Sequence, residues 1–299
     1  AQFLPRMKGV LVRLGMLQTE AGPKLVGVNL EGQFVDLCDV DVKLPNTLLE
    51  VLQTPDGLNN AAHALAAGMV KGPFLTGTPL APIARPGKVI CIGLNYRDHA
   101  EESGLPIPTE PVVFNKFSQC VIGPDENVVL PAASTQVDYE AELVMVIGKR
   151  GKRISKKEAW SHIAGYTIGN DVSARDWQIG RPGGQWLLGK TPDTFAPLGP
   201  WLVTADEVGD ARELRIQLRL NGRTMQDSST KELIFGMDDI IAHLSQITTL
   251  EPGDVIFTGT PPGVGMARKP PVFVQAGDVM EVEIEGFGVL RNPVVAEVA

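Results

Sequence analysis

Three carboxylates stand at alternate positions in the segment VDYEAELVMVIG, residues 137–148. Asp138, Glu140 and Glu142 would share one face of a β-strand, because residues i, i+2 and i+4 point to the same side. Two valines continue that face, so it changes from acidic to apolar along the strand. This pattern predicts carboxylates that face an interior or a cleft.

Like charges this close repel one another and raise one another's pKa unless something neutralises them. A divalent cation is the simplest neutraliser, and carboxylate oxygens select hard ions such as Mg²⁺, Mn²⁺ or Ca²⁺. The competing interpretation is an edge strand whose charges discourage aggregation. This stretch alone leaves both interpretations open.

The segment YTIGNDVSARDWQ (166–178) offers a further ligand in Asp171, which follows a β-like run. Its alternative role is to cap a helix. Arg175 and Lys190 are cations that would offset excess carboxylate charge, and a desolvated lysine would stabilise a developing oxyanion. Alternatively, both are ordinary surface cations, the commoner fate of basic residues.

A possible acid–base pair lies in GLNYRDHAEE, residues 93–102. With Asn95 or Asp98 as cap, a short helix would place His99 and Glu102 on one face at i and i+3. A carboxylate that orients an imidazole makes it a better general base. The alternative interpretation of this segment is a solvated helical turn without a catalytic role.

The Gly/Pro-rich loop FTGTPPGVG (257–265) follows another strand-like run and lacks the ending of a Walker A motif. Its backbone N–H groups, with the hydroxyls of Thr258 and Thr260, can hold a small carboxylate. A tight turn that needs glycines is the simpler interpretation.

The elements that would position these residues are mainly strands, which predicts a mostly-β (α+β) protein rather than a βαβ array. Helices are predicted from a capping box at Ser155 and Glu158 and over residues 237–248. Residues 71–88 carry four prolines and suit an extended connector. We therefore predict a small N-terminal β-rich domain over 1–80 and a catalytic domain over 81–299.

The chain has 299 residues, 43% hydrophobic, with a formal net charge of −8. The acidic balance argues against nucleic-acid binding, and no apolar run is long enough for a membrane helix. The three cysteines are far apart and are predicted to be unpaired. We expect a cytoplasmic location, or the mitochondrial matrix if a transit peptide has been removed.

These motifs together resemble the fumarylacetoacetate hydrolase family over residues 88–293. The matching segments are, in order, GLNYRDHAEE, EPVVFNKF, VDYEAELVMVIG, GYTIGNDVSARDWQ, QWLLGKTPDTFAPLGPW, LNGRTMQ and PGDVIFTGTPPGVG. The segments QWLLGKT and RKPPVF are most similar to the two-domain branch that includes the mitochondrial oxaloacetate tautomerases.

The resemblance implies a mixed β-sandwich roll, a homodimer and a catalytic Mg²⁺ or Mn²⁺, with Ca²⁺ able to substitute in a crystal. It places Asp138 outside the ligand set. By motif position, it implies Glu140, Glu142 and Asp171 as metal ligands, His99, Glu102 and Lys190 as catalytic residues, and Arg175, Gln178 and Thr260 as substrate contacts.

The implied substrates are small 2-oxo or 2,4-dioxo acids that react through a metal-bound enolate. Hydrolysis of a carbon–carbon bond in an acylpyruvate or fumarylacetoacetate type of substrate is our first expectation. Keto–enol tautomerisation or decarboxylation of oxaloacetate is the alternative, because the same enolate chemistry serves all three. A metal-stabilised, dimeric binding module without catalysis is the non-enzyme alternative.

Overall fold

The computed structural model describes residues 12–104 and 106–298. Within these residues the chain forms a large curved sheet, a smaller five-stranded sheet and a two-stranded ribbon. The predicted mostly-β, α+β architecture is therefore confirmed. The first eleven residues of the predicted N-terminal β-rich domain lie outside the described residues.

The strands, in chain order, are β1 (Arg13–Thr19), β2 (Gly22–Val28), β3 (Phe34–Asp36), β4 (Phe74–Leu75), β5 (Thr78–Leu80), β6 (Val89–Gly93), β7 (Val112–Lys116), β8 (Val121–Ile122), β9 (Val128–Leu130), β10 (Val137–Asp138), β11 (Ala141–Ile147), β12 (Ile163–Asn170), β13 (Ser173–Ala174), β14 (Ala196–Thr204), β15 (Arg215–Leu220), β16 (Arg223–Ser229), β17 (Val255–Phe257), β18 (Val279–Ile284) and β19 (Gly288–Ala296). The helices are α1 (Leu37–Val40), α2 (Leu48–Gln53), α3 (Gly57–Gly68), α4 (Arg97–Ser103), α5 (Lys156–Ala159), α6 (Arg175–Gln178), α7 (Trp186–Lys190), α8 (Ala205–Val208) and α9 (Met237–Ile247).

The large sheet has the order β4-β3-β2-β1-β14-β12-β11-β17-β6-β7, with β5 paired to β1 and β8 paired to β14. The small sheet has the order β16-β15-β18-β19-β9. Strands β11 and β12 of the large sheet lie against β15 and β18 of the small one. The two sheets thus form a sandwich, whose core is the interface between them.

Strand β11 is buried on both faces, which explains its nearly continuous apolar sequence. Leu143 and Met145 belong to the core between the two sheets. Val144 and Val146 belong to a second core, which includes apolar residues of α2 and α3. Because Glu142 shares the face of the two valines, the sequence sends its carboxylate into the protein rather than into solvent.

The N-terminal strands continue the large sheet, because Arg13 and Leu14 of β1 pair with Val203 and Leu202 of β14. The division into domains at residue 80 stays a prediction. Two predicted helices are confirmed: α5 begins with the capping box of Ser155 and Glu158, and α9 covers the predicted segment up to Ile247. None of the helices in the described ranges is long and apolar enough to cross a membrane.

Candidate active site

The antiparallel pairing of β11 with β12 brings the predicted acidic residues together. Ala141, at the start of β11, faces Asn170, at the end of β12. The flanking residues therefore meet, and the Asp171 N–H donates to the Glu140 carbonyl over 2.8 Å. Ligand atoms of Glu140, Glu142 and Asp171 all lie within 4.8 Å of one another, and all three residues are buried.

Asp138 lies apart from this triad, because the predicted single strand is split. Residues 139–140 separate β10 from β11, and β10 pairs with β13 instead of the large sheet. The Asp138 carboxylate receives the Arg175 guanidinium at 2.9 Å. The prediction of one unbroken strand through the three carboxylates was wrong, because the backbone breaks between the first and the second of them.

Lys190 lies against two of the three clustered carboxylates. Its Nζ donates to Glu140 Oε2 over 2.7 Å and to Asp171 Oδ2 over 2.8 Å. The ring of Phe114 covers it, with the centroid 5.0 Å from Nζ. The alternative of a surface cation is therefore excluded for Lys190, whose residue is only 2% exposed.

A second buried lysine was missed by the sequence analysis. Lys116 Nζ lies 2.6 Å from Asp171 Oδ1 and donates to the carbonyls of Val172, Lys190 and Phe195 over 2.5–2.8 Å. The three carbonyls belong to distant segments, so no local pattern could reveal them. The only signal was a lysine at the end of the apolar run VVFNK, where a strand enters the interior.

Arg175 is also a buried cation, and it contacts three site residues. Its Nη2 donates to Glu140 Oε1 over 2.7 Å, and its Nη1 donates to Gln178 Oε1 over 2.9 Å. The arginine and the glutamine are one helical turn apart on α6, so they share a face. The structure thus places both predicted substrate contacts beside the acidic cluster.

The pKa values of Glu140 and Glu142 are shifted in opposite directions. Burial raises the pKa of Glu140, but the charges of Lys190 and Arg175 outweigh it and lower the pKa to about 2. Burial and the charges of Asp171 and Glu140 raise the pKa of Glu142 well above its usual range. Glu142 therefore differs from Glu140 in lacking a cation that compensates for its desolvation.

The charge count fits a divalent cation. The acidic triad and the neighbouring Asp138 together contribute four carboxylates. They face three buried cations, those of Lys116, Arg175 and Lys190. When all four carboxylates are ionised, one negative charge is left in excess in a buried site. Within the described residues, Asp171 Oδ1 is buried and accepts no hydrogen bond, since the three hydrogens of the nearby ammonium go to carbonyls. An all-carboxylate donor set suits Mg²⁺ or Mn²⁺.

The predicted acid–base pair forms on α4. His99 Nδ1 lies 3.3 Å from Glu102 Oε2, and the Gly263 N–H donates to both oxygens of Glu102 over 3.0 and 3.1 Å. The predicted cap was wrong, because the helix begins after Tyr96 without a side-chain cap. The side chain of Asn95 instead bonds to backbone groups of distant loops.

The hydroxyl of Tyr96 is a further feature that the sequence did not reveal. It is buried and has no hydrogen-bond partner in the part of the chain that the structure describes. Burial, followed by the charge of Glu142, raises its pKa well above the usual range. A neutral phenol is therefore buried directly before α4, near enough to Glu142 for that carboxylate to affect its pKa.

The Gly/Pro-rich loop binds carboxylates of the protein itself. The N–H of Gly259 donates to Glu142, that of Gly263 to Glu102, and that of Gly265 to Asp138. The sequence left open that these N–H groups hold a substrate carboxylate. Since they already donate to carboxylates of the protein, they are not available for that role. Gly259 needs to be glycine, because its φ is +110° and a Cβ would lie 2.8 Å from Asn95 Cβ.

The threonine hydroxyls of this loop are likewise engaged. Thr258 Oγ1 donates to the Leu143 carbonyl over 2.7 Å. Thr260 Oγ1 donates to the Ala141 carbonyl over 3.0 Å and accepts the amide of Gln226 over 2.8 Å. Thr260 lies beside the start of β11, and its contact with substrate stays a prediction.

A comparison with protein families matches residues 88–295 to the family described as "Fumarylacetoacetate (FAA) hydrolase C-terminal". "Oxaloacetate tautomerase FAHD2A, mitochondrial" of Bos taurus is 50% identical over 265 residues, covering 88% of this chain and 84% of that protein. The human protein of the same name is 49% identical over 280 residues, covering 91% of this chain and 89% of its own length.

Solved structures are similar over nearly the whole chain. Fumarylacetoacetate hydrolase (EaFAH) from psychrophilic Exiguobacterium antarcticum gives a TM-score of 0.82 at 35% identity, covering 96% of this chain and 100% of that one. The 5-carboxymethyl-2-hydroxymuconate delta-isomerase from Mycobacterium smegmatis gives a TM-score of 0.74 at 35% identity, with the same coverage. The fold predicted from the resemblance is confirmed by these similarities.

Proposed function

Because the chain belongs to the fumarylacetoacetate hydrolase family, we propose that it is an oxaloacetate tautomerase, which interconverts the enol and keto forms of a small 2-oxo acid. The match to the family model and the similarity to the two relatives confirm the resemblance that the sequence predicts. They also confirm the expectation of an enzyme. The reaction, the site residues and the metal are our proposals.

The cation would be held by Glu140, Glu142 and Asp171, which offer carboxylate oxygens within 4.8 Å of one another. A divalent cation bound there supplies a Lewis acid that stabilises enolate charge on a 2-oxo acid. With two positive charges added, the buried cluster changes from one excess negative to one excess positive charge. Such a site favours an anionic substrate, as a 2-oxo acid is.

Lys190 would stabilise negative charge on a substrate oxygen. An ammonium has three N–H donors, and two of those on Lys190 go to Glu140 and Asp171. The third is left for a ligand on the side of Phe114. Two carboxylate contacts raise the pKa of Lys190 even though burial opposes this, so the ammonium stays charged in the reaction.

The His99–Glu102 pair would move the proton at carbon 3 of the substrate. Because Nδ1 faces Glu102, that nitrogen carries the hydrogen of a neutral imidazole, and Nε2 is the proton acceptor. In ketonisation, Nε2 accepts the proton of the 2-hydroxyl and then delivers a proton to carbon 3, so the imidazole returns to its neutral form. The carboxylate stabilises the imidazolium between these steps.

The observation that carries this proposal is the similarity, near 50% over about nine tenths of the chain, to relatives named oxaloacetate tautomerase. The sequence analysis placed carbon–carbon hydrolysis first and tautomerisation second. The relatives favour the alternative. Hydrolysis of 2,4-dioxo acids by the same residues is the second candidate, which the solved fumarylacetoacetate hydrolase favours.

The test follows enol absorbance and pyruvate release separately, with Mg²⁺ and either enol-oxaloacetate or acetylpyruvate. Mg²⁺ without protein corrects for uncatalysed ketonisation, and the His99→Asn variant serves as the matched inactive protein. We expect accelerated enol loss from oxaloacetate without pyruvate. Pyruvate from acetylpyruvate at a higher kcat/KM would establish the hydrolase instead, and pyruvate from oxaloacetate would establish the decarboxylase.

No turnover of either substrate by metal-loaded protein would favour the non-catalytic binding module. The homodimer and the compartment, cytoplasmic or mitochondrial, stay predictions of the sequence analysis. The relatives of known location carry "mitochondrial" in their names, which supports the second compartment.

A further inference from the structure

Asp138 is a fully buried carboxylate, with 0% exposure, that lies outside the acidic triad. Its Oδ1 accepts the N–H groups of Tyr139 over 2.8 Å and Gly265 over 2.7 Å. Its Oδ2 accepts the Met266 N–H over 3.1 Å and the Arg175 Nε–H over 2.9 Å, and it lies 2.9 Å from Arg175 Nη2. A buried charge with so many donors is held in one orientation.

These contacts orient the Arg175 guanidinium. The Arg175 Nε donates to Asp138, and Nη2 lies 2.9 Å from the same carboxylate. Nη2 also donates to Glu140, and Nη1 donates to Gln178. Because Asp138 alone contacts the Nε side, it fixes the rotation of the planar fork about the side chain. The pairing of Asp138 with Ser173 in the ribbon of β10 and β13 holds the two backbones at this distance.

The same carboxylate anchors the loop that supports the rest of the site. Gly265 and Met266 donate to Asp138, and the preceding residues of that loop donate to Glu142 and Glu102. A Cβ on Gly265 would lie 2.7 Å from Asp138 Oδ1, so the loop approaches the carboxylate as closely as glycine permits. Asp138 thus connects the arginine to the segment that holds a ligand and the acid–base pair.

We propose that Asp138 is a positioning residue. It holds the Arg175 guanidinium in the orientation that binds the carboxylate of a 2-oxo acid, and it keeps that guanidinium at a fixed position relative to the loop. The proposal rests on the proposed function, in which Arg175 contacts substrate. It predicts that Asp138 acts through the arginine, so its effect on substrate affinity disappears when the guanidinium fork is absent. A purely structural carboxylate would lower stability and would act independently of the arginine.

A double-mutant cycle separates these two roles. The variants are Asp138→Asn, Arg175→Lys and the double variant, compared in the KM for oxaloacetate and in the dissociation constant of oxalate, an inert dicarboxylate, with Mn²⁺ present. Lysine keeps the charge of Arg175 but cannot make the forked contacts. Asparagine keeps the shape of Asp138 but loses its charge.

We expect Asp138→Asn to raise the KM and the oxalate dissociation constant about tenfold, with kcat and Mn²⁺ affinity changed less than threefold. Arg175→Lys should have a similar or larger effect, and the double variant should match Arg175→Lys within twofold. If the two single effects multiply in the double variant, the proposal is overturned. It is also overturned if Asp138→Asn leaves oxalate binding unchanged or weakens Mn²⁺ binding as much as oxalate binding.

Asp36→Asn is the matched control, because Asp36 is 1% exposed, caps α1 and pairs with Lys24 far from this cluster. It should lower the melting temperature without changing oxalate binding. If Asp138→Asn fails to fold, Asp138→Glu keeps the charge and serves in the same cycle. Coupling in oxalate binding without turnover of oxaloacetate would overturn the proposed function and leave this inference standing.

Discussion

Lys116 Nζ lies 2.6 Å from Asp171 Oδ1 but has no hydrogen left to donate to it. The three ammonium hydrogens go to the carbonyls of Val172, Lys190 and Phe195. The contact is therefore purely electrostatic, and the lysine holds three chain segments together around the carboxylate. Its position makes Lys116 a permanent counter-charge for a residue that is predicted to bind metal.

Replacing Lys116 by methionine should destabilise the protein by about 3–5 kcal/mol, because it removes one of the two cations beside a buried carboxylate and leaves three carbonyls without their donor. The free energy of unfolding from urea titration measures this loss. The control is Lys156→Met, whose side chain is 66% exposed and pairs with Asp239. That change should leave the free energy of unfolding nearly unchanged, and an equal loss of stability in both variants would contradict the prediction.

Replacing Glu140 and Glu142 by glutamine should change the stability of the metal-free protein in opposite directions. The pKa of Glu140 is lowered to about 2, so its charge stabilises the fold above the ordinary glutamate range and Glu140→Gln should cost about 3 kcal/mol. The pKa of Glu142 is raised, so its ionisation opposes folding. Glu142→Gln should therefore raise the free energy of unfolding at pH 8.

Urea titrations in the presence of a chelator measure both changes. Both variants should also weaken Mn²⁺ binding. Higher stability together with weaker Mn²⁺ binding in Glu142→Gln would show that Glu142 serves the metal site and not the fold. A loss of stability in Glu142→Gln as large as that in Glu140→Gln would refute the assignment of the two environments.

The strands that place the site could be predicted from the sequence because each one carries its own pattern. The apolar run of β11 and the capping box at Ser155 are local signals, and both elements form as predicted. Alternation indicated the inward face of Glu142, which lies within β11, and drew attention to its acidic neighbours. The motif order supplied the rest of the predicted set, including His99 and Lys190.

What the sequence could not predict depends on contacts between distant segments. Lys116 is recognised only when the three carbonyls around it are known, and these come from two other parts of the chain. The loop at Gly263 has a glycine pattern typical of any tight turn. Its selective use of N–H groups for Glu102 and Asp138 exists only in the folded protein.

The affinity for Mn²⁺ should depend on pH through Glu142. Its raised pKa means that a proton competes with the cation, so affinity rises as pH rises towards that pKa and levels off above it. The increase should approach tenfold per pH unit below the plateau. Calorimetry in two buffers with different ionisation enthalpies should detect the proton that is released. Constant affinity across the acidic range without proton release would contradict the prediction.

Replacing Glu102 by glutamine should impair proton transfer while leaving the metal site intact. The Gln carbonyl can still accept the Gly263 N–H, but its NH₂ group would face His99 Nδ1 and favour the tautomer with the hydrogen on Nε2. Since Nε2 is then no longer a proton acceptor, kcat for enol loss should fall about 10²- to 10⁴-fold. Glu101→Gln is the matched control on the same helix, because Glu101 is exposed. Unchanged Mn²⁺ affinity in both variants, with kcat lost only in Glu102→Gln, is the expected result; full activity in Glu102→Gln would remove the pair from the mechanism.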